Sequence, residues 1–213
     1  MDNNWFNVGK VTLEYNRSVA ADLGPMTSQA IDNERTVEVP LGQYFLDQTP
    51  DKLNVIEIGC TLPHYREEKH IVIDLEEKHP LALNRDACAI DYTGKDVVSI
   101  STIEHIHFDP TDHGTVVKIG HSGELAWRIA KTAKRYLLTW PLFHNLQLDA
   151  FVSLTNPKGF IVMERMLAEG QHDANIWQEY KRENPVNYIY KKQWLERLRC
   201  GVMVVTNLPE LLG

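Results

Sequence analysis

The chain has 213 residues, 43% hydrophobic and 24% charged, with 12 Gly and 10 Pro, which supports one packed α/β domain and excludes a fibrous, low-complexity or disordered polypeptide. The 22 Lys and Arg against 29 Asp and Glu leave a formal charge of −7, a field that repels phosphate backbones and anionic lipid and argues against nucleic acid as a partner. Three widely spaced cysteines without a CxxC, Cys60, Cys88 and Cys200, read as thiols of a reduced, cytoplasmic chain.

Residues 1–34 are polar with weak periodicity and read as an irregular arm or short helices; 35–213 read as a single α/β domain. The start, MDNNWFNVGKVTLEYN, lacks the basic-then-apolar profile of a signal peptide, and no run approaches the ~18 apolar residues of a spanning helix, so no membrane insertion is expected. Val37, Val39, Leu41, Tyr44, Phe45 and Leu46 suggest a short helix covering one end of a sheet. Short β-branched runs then alternate with polar or helical segments, as in βα units around a parallel sheet. LNVIEI at 53–58 is the first strand, stopped by Gly59, and HIVIDL at 70–75 the second. A weak strand falls within 81–89, and DVVSIS at 96–101 reads as a strand buried on both faces. Leu125, Ala126, Ile129, Ala130 and Ala133 mark an amphipathic helix over 124–133. YLLTW at 136–140 is a strand, 146–153 looks helical, and GFIVME at 159–164 and GVMVVT at 201–206 complete seven strands of an open α/β sheet.

Ligands of such sheets sit beyond the carboxyl ends of the strands, near the switch in strand order. After the first strand, Gly59 is the sole glycine where a pyrophosphate-binding GxGxxG would need three, with Thr61 and Pro63 in the way. The turn therefore suits a nucleoside ligand without phosphates, such as S-adenosylmethionine, whose cationic end Glu57 would attract; it equally suits a plain strand-to-helix turn. Asp74, fifteen residues beyond Gly59, is close to the ~20-residue offset at which an acid reaches ribose hydroxyls. Asp86-Ala87 stands where an acid could take an adenine amine, or form a turn.

The segments NVIEIGCTLPHY, HIVIDLEEKHP, NRDACAIDY, DVVSISTIEHIHFD, LLTWPLFHNLQLD and NIWQEY follow in this order between residues 35 and 207. Together they resemble a family of class I S-adenosylmethionine-dependent methyltransferase-like proteins, known mostly as uncharacterised products of bacterial surface-polysaccharide gene clusters. SISTIEHI carries the strongest likeness. The resemblance implies a Rossmann-like, open seven-stranded sheet, mostly parallel with a reversed last strand and helices on both faces. It also implies cofactor contacts from Glu57, Gly59, Cys60, Thr61, Asp74, Asp86, Ala87, Ser101 and Thr102. The chain departs from the family in its single loop glycine, and in His107 where a glycine usually follows EHI.

Methyl transfer from a sulfonium is an in-line displacement in which positioning supplies most of the rate, and a base is needed only where the acceptor must lose a proton. For a hydroxyl acceptor His105, with Glu104, is the nearest candidate base. Tyr65, His107, His144, Asn145 and Trp177 are candidate substrate contacts, although Trp177 could equally close a sheet edge. The histidines and aspartates at 105–121 lack metal-ligand spacing, so no metal is expected. The leading expectation is a methyltransferase acting on the hydroxyl of a small molecule or a carbohydrate, with self-association left open. A non-catalytic binding or assembly protein on the same fold, and a nicotinamide-dependent sugar enzyme, are the alternatives.

Overall fold

The computed structural model describes residues 5–16, 34–106, 121–142, 144–145, 148–149, 151–152, 159–166, 176–179 and 201–213. The strands are β1 (Trp5–Val8), β2 (Val11–Glu14), β3 (Val55–Ile58), β4 (Ile71–Ile73), β5 (Ala82–Leu83), β6 (Asp96–Ile100), β7 (Arg135–Pro141), β8 (Phe160–Met166), β9 (Ile176–Glu179) and β10 (Gly201–Thr206). Among the described residues the helices are α1 (Arg35–Asp47), α2 (His121–Thr132) and the short α3 (Pro209–Leu212), and residues 148–149 and 151–152, within the segment 146–153 read as helical, are helical too.

One eight-stranded sheet has the order β5-β4-β3-β6-β7-β10-β8-β9. The strands from β5 to β7 pair in parallel, β10 runs antiparallel to both β7 and β8, and β9 pairs antiparallel with β8. The chain therefore moves outward from β3 through β4 to β5 and returns on the other side of β3 to β6. Among the described residues the sheet has eight strands where the sequence suggested seven, because β9 extends the edge beyond β8. Its four residues, IWQE, offer too short an alternation to register as a strand.

Successive side chains of a strand point to opposite faces, and the core divides accordingly. On one face Ile56, Ile58, Val97, Leu138, Trp140, Met203 and Val205 pack with Leu125, Ala126 and Ile129 of α2. On the other Val55, Val98, Ile100, Leu137, Val202 and Val204 pack with Val37, Leu41 and Phe45 of α1. Helix α1 thus covers a face of the sheet and not its end. It approaches closely because Gly42 has no side chain; a Cβ there would lie 2.8 Å from Leu62 Cδ2 and 3.0 Å from Ile100 Cδ1.

The segment read as an irregular arm contains a hairpin of β1 and β2, with Phe6 and Val8 buried on the α1 face. Alternation over only four residues per strand, beside polar neighbours, hid it. Pro40 lies inside α1 and cannot donate to the carbonyl four residues earlier. The backbone N–H of Asn16 donates to that carbonyl, Thr36 O, at 3.0 Å, tying the segment after the hairpin to the helix. Among the described residues no helix is long and apolar enough to cross a membrane.

Candidate functional site

A cleft of about 440 Å³ opens where β3, β4 and β6 end, at the point where the chain switches direction across the sheet. Its walls are Ile58, the last residue of β3, and Gly59 after it, Ile73, the last residue of β4, and Asp74 to Glu76 after it, Arg85 to Ala87 after β5, and Thr102, His105 and Ile106 after β6. Six residues singled out in the sequence, Gly59, Asp74, Asp86, Ala87, Thr102 and His105, meet there.

Gly59 takes φ +84°, a left-handed conformation that glycine adopts without cost. A Cβ at Gly59 would lie 2.0 Å from Thr102 Oγ1, so the turns after β3 and β6 touch across the cleft floor. Glu57, expected to meet a ligand's cationic end, is instead fully buried and committed to the protein. Its Oε1 accepts from the backbone N–H groups of Thr61 at 2.9 Å and Leu62 at 2.7 Å, and its Oε2 lies 2.6 Å from His70 Nε2. The carboxylate shapes the turn in place of the missing glycines. Thr61 is buried and donates to Ile100 O at 3.1 Å. The Cys60 thiol is pushed up to about 12, chiefly by burial and then by the Glu57, Glu77 and Asp74 carboxylates, which disfavours its thiolate near neutral pH.

Asp74 faces the cleft but is also a local clamp. Its Oδ2 accepts from Cys60 N at 3.2 Å and its Oδ1 from the N–H groups of Glu76 and Glu77, both at 3.0 Å. A carboxylate has about four acceptor positions, so three N–H groups leave room for one further donor rather than for a whole diol. Asp86 Oδ1 accepts from Cys88 N at 2.8 Å and so caps the helical turn Ala87–Ala89.

Past β6 the chain forms the single helical turn Ile103–His105. Ser101 is buried, carries φ +41° and donates from Oγ to Glu38 Oε2 at 2.6 Å; it does not line the cleft. Glu104 is 0% exposed and neither carboxyl oxygen has a hydrogen-bond partner among the described residues. Burial, reinforced by the Glu38 carboxyl, raises it well above the ordinary carboxylic acid range. It therefore stands behind the cleft wall with its neutral form favoured, not beside a substrate. His105 is 58% exposed, and its Nε2 lies 3.8 Å from Glu104 Oε1. Burial of part of its ring, then His144 and Arg35, lowers its pKa from the usual value. With its pKa lowered, His105 is unprotonated at neutral pH and available as a proton acceptor.

The proposed substrate contacts fare unequally. The His144 ring packs edge-to-face on His105 with centroids 4.7 Å apart, but His144 is not itself among the residues that line the cleft. Asn145 is buried: its Nδ2 donates to Glu104 O at 2.9 Å and to Ser122 Oγ at 3.1 Å, and its Oδ1 accepts from Leu148 N at 3.1 Å. It joins α2 to the β6 turn and is structural, as is Asp149, which accepts from Trp140 Nε1 at 2.9 Å. Tyr65 is half-buried outside the cleft, its hydroxyl pKa raised by burial and by Glu38 and Glu34 against the pull of Arg35. Trp177 belongs to β9, five strands from β3 and so roughly 24 Å away at ~4.8 Å per strand, too far to cover the cleft. His107 lies outside the described residues.

Two residues were missed in the sequence. Arg35 NH1 donates to Ile100 O at 2.8 Å and reaches Thr61 Oγ1 at 3.4 Å, and NH2 reaches Ser101 O at 3.5 Å. Glu38, fully buried on the same helix face, holds Ser101. The signal was a carboxylate between Val37 and Val39 in an otherwise apolar run, since buried acids are rare without a partner. No family model matches the chain, and neither a curated protein nor a solved structure matches it.

Proposed function

We propose that the chain is an S-adenosylmethionine-dependent methyltransferase with a Rossmann-like sheet, acting on a hydroxyl of a small molecule or carbohydrate such as a surface-glycan precursor. The observation that supports this reading most is the position of the cleft. The order β5-β4-β3-β6-β7 repeats the 3-2-1-4-5 order of doubly wound nucleotide-binding sheets, and the cleft lies at the switch point beside β3. Its volume of about 440 Å³ falls within the range of small-molecule sites.

In this reading Asp74 offers its remaining acceptor position to a ribose hydroxyl. Asp86 and Ala87 border the base, among Ile58, Ile73, Ala87 and Ile106. When bound, the cofactor supplies an electrophilic methyl on a sulfonium. His105 would take the proton of the acceptor hydroxyl as that oxygen receives the methyl group, with the sulfonium sulfur as the leaving group. The lowered pKa of His105 keeps the ring unprotonated at neutral pH, so activity is expected to rise with pH through that pKa. A pH–rate profile flat across the imidazole range, or retained by His105→Ala, would remove His105 from this role.

The reading is tested by thermal unfolding with S-adenosylmethionine, S-adenosylhomocysteine and NAD in turn. A ligand at 100 times its dissociation constant adds about 2.7 kcal/mol, roughly 5–10 °C for a domain of this size. A shift with the adenosyl compounds alone is the expected result. One observation favours a non-catalytic binding or assembly protein as the second reading: Glu57 and Asp74 are already engaged by the chain's own N–H groups. No shift with any of the three compounds would favour it, and a shift with NAD alone would favour a nicotinamide enzyme.

A further inference from the structure

Ser101 is the described non-glycine residue held at positive φ, at +41°, where an L side chain crowds its own backbone. Such strain persists only where the surroundings over-determine it, and here the constraints can be named. Ser101 N donates to Thr139 O at 3.1 Å, and its Oγ donates to the fully buried Glu38 Oε2 at 2.6 Å. Arg35, one turn earlier on α1, reaches the carbonyls of Ile100 and Ser101. The same guanidinium reaches Thr61 Oγ1 in the turn after β3.

Resting on the methyltransferase reading, we infer that Arg35 and Glu38 are positioning residues: a clamp on α1 that holds Ser101 left-handed, and so fixes Thr102 against Gly59 and aims His105 at the cleft. Neither clamp residue lines the cleft. They act through Ser101 and Thr61, which join the two turns that form the cleft floor. Helix α1 can do this because Gly42 lets it lie against Ile100 and Leu62.

The test uses the full chain in five forms: wild type, Glu38→Gln, Glu38→Leu, and Glu38→Leu combined with Ser101→Gly or with Ser101→Ala. Glutamine keeps an acceptor for Ser101 Oγ and should behave as wild type. Leucine removes the acceptor, leaves the buried Ser101 hydroxyl unpaired and takes away the carboxylate 3.9 Å from Arg35, so the turn relaxes. Two readouts are taken, amide hydrogen exchange at Ser101 and Thr102 by NMR and S-adenosylhomocysteine affinity by calorimetry. Glu38→Leu should exchange about tenfold faster and bind about tenfold more weakly. Glycine adopts the left-handed conformation without a clamp, so adding Ser101→Gly should restore both readouts, whereas Ser101→Ala, which removes the unpaired hydroxyl but keeps a Cβ at φ +41°, should not; equal rescue by both would reduce the contact to a stabilising one. Wild-type exchange and affinity in Glu38→Leu, or no rescue by glycine, would overturn the inference. Should wild type fail to bind S-adenosylhomocysteine while exchange follows the expected pattern, the cofactor reading falls and the clamp stands.

Discussion

Gly59→Ala is expected to lower the unfolding midpoint by roughly 6–16 °C and to close the floor of the cleft. Two independent costs add. A residue with a Cβ at φ +84° sits in the left-handed region at about 1–2 kcal/mol. The new Cβ would also stand 2.0 Å from Thr102 Oγ1 and 2.6 Å from Thr102 Cβ, and relieving an overlap in packed surroundings costs about 1–3 kcal/mol. A total near 3–4 kcal/mol converts at about 2–4 °C per kcal/mol for a chain of this size. The two costs can be separated, because Thr102→Gly removes the overlapping atoms and leaves the conformational cost. The double variant should recover part of the midpoint but not all of it. Full recovery would mean that the backbone at Gly59 tolerates a side chain, and no loss in the single variant would mean that the two turns do not touch.

The same turn marks where the sequence was legible. Strand runs such as LNVIEI and DVVSIS announce themselves through β-branched density, and Gly59 through its place after a strand, so the parallel core and the location of the cleft follow from pattern. What pattern does not carry is the direction of a polar side chain. Glu57 and Asp74 stand at strand ends where ligand-binding acids belong, yet Glu57 turns inward to brace Thr61 and Leu62 and Asp74 accepts from three N–H groups. An acid near a glycine-poor turn satisfies either a ligand or the turn's own donors, and only the three-dimensional path of the backbone decides. Asn145 illustrates the same ambiguity, its amide spent on Glu104 O and Ser122 Oγ. Strand β9 and the hairpin of β1 and β2 were hidden for another reason: four-residue strands carry too little alternation to outweigh polar neighbours.

Asp74→Ala is consequently expected to cost stability as well as any ligand. Losing a carboxylate that accepts from Cys60, Glu76 and Glu77 should destabilise by about 2–4 kcal/mol. Urea unfolding checks this; an unchanged midpoint would mean that the strand-end acid is free for solvent or ligand.

The buried acid behind the cleft wall should make stability fall with pH, and Glu104→Gln should remove part of that fall. Glu104 is fully buried with no hydrogen-bond partner among the described residues. Burial first and the Glu38 carboxyl second raise its pKa well above 4.5, against the weaker pull of its own backbone N–H and then of Arg35. Glu38 is raised in the same direction, again chiefly by burial. A carboxyl whose folded pKa exceeds its unfolded value binds its proton more tightly when folded. Its stabilising contribution is complete below the unfolded value and is lost as pH rises towards the folded one. Glutamine does not titrate, so the advantage of Glu104→Gln over wild type should widen from about pH 5 upward, with a slope of up to ~1.4 kcal/mol per pH unit. That is roughly 3–6 °C of midpoint per unit. Urea unfolding of both proteins between pH 5 and 9 measures the slope, and parallel curves would show that Glu104 ionises as freely in the folded chain as in the unfolded one. Because each acid raises the other, removing Glu38 eases the ionisation of Glu104. The gains of Glu38→Gln and Glu104→Gln should therefore fall short of additive in the double variant, whereas strict additivity would place the two carboxyls out of each other's field.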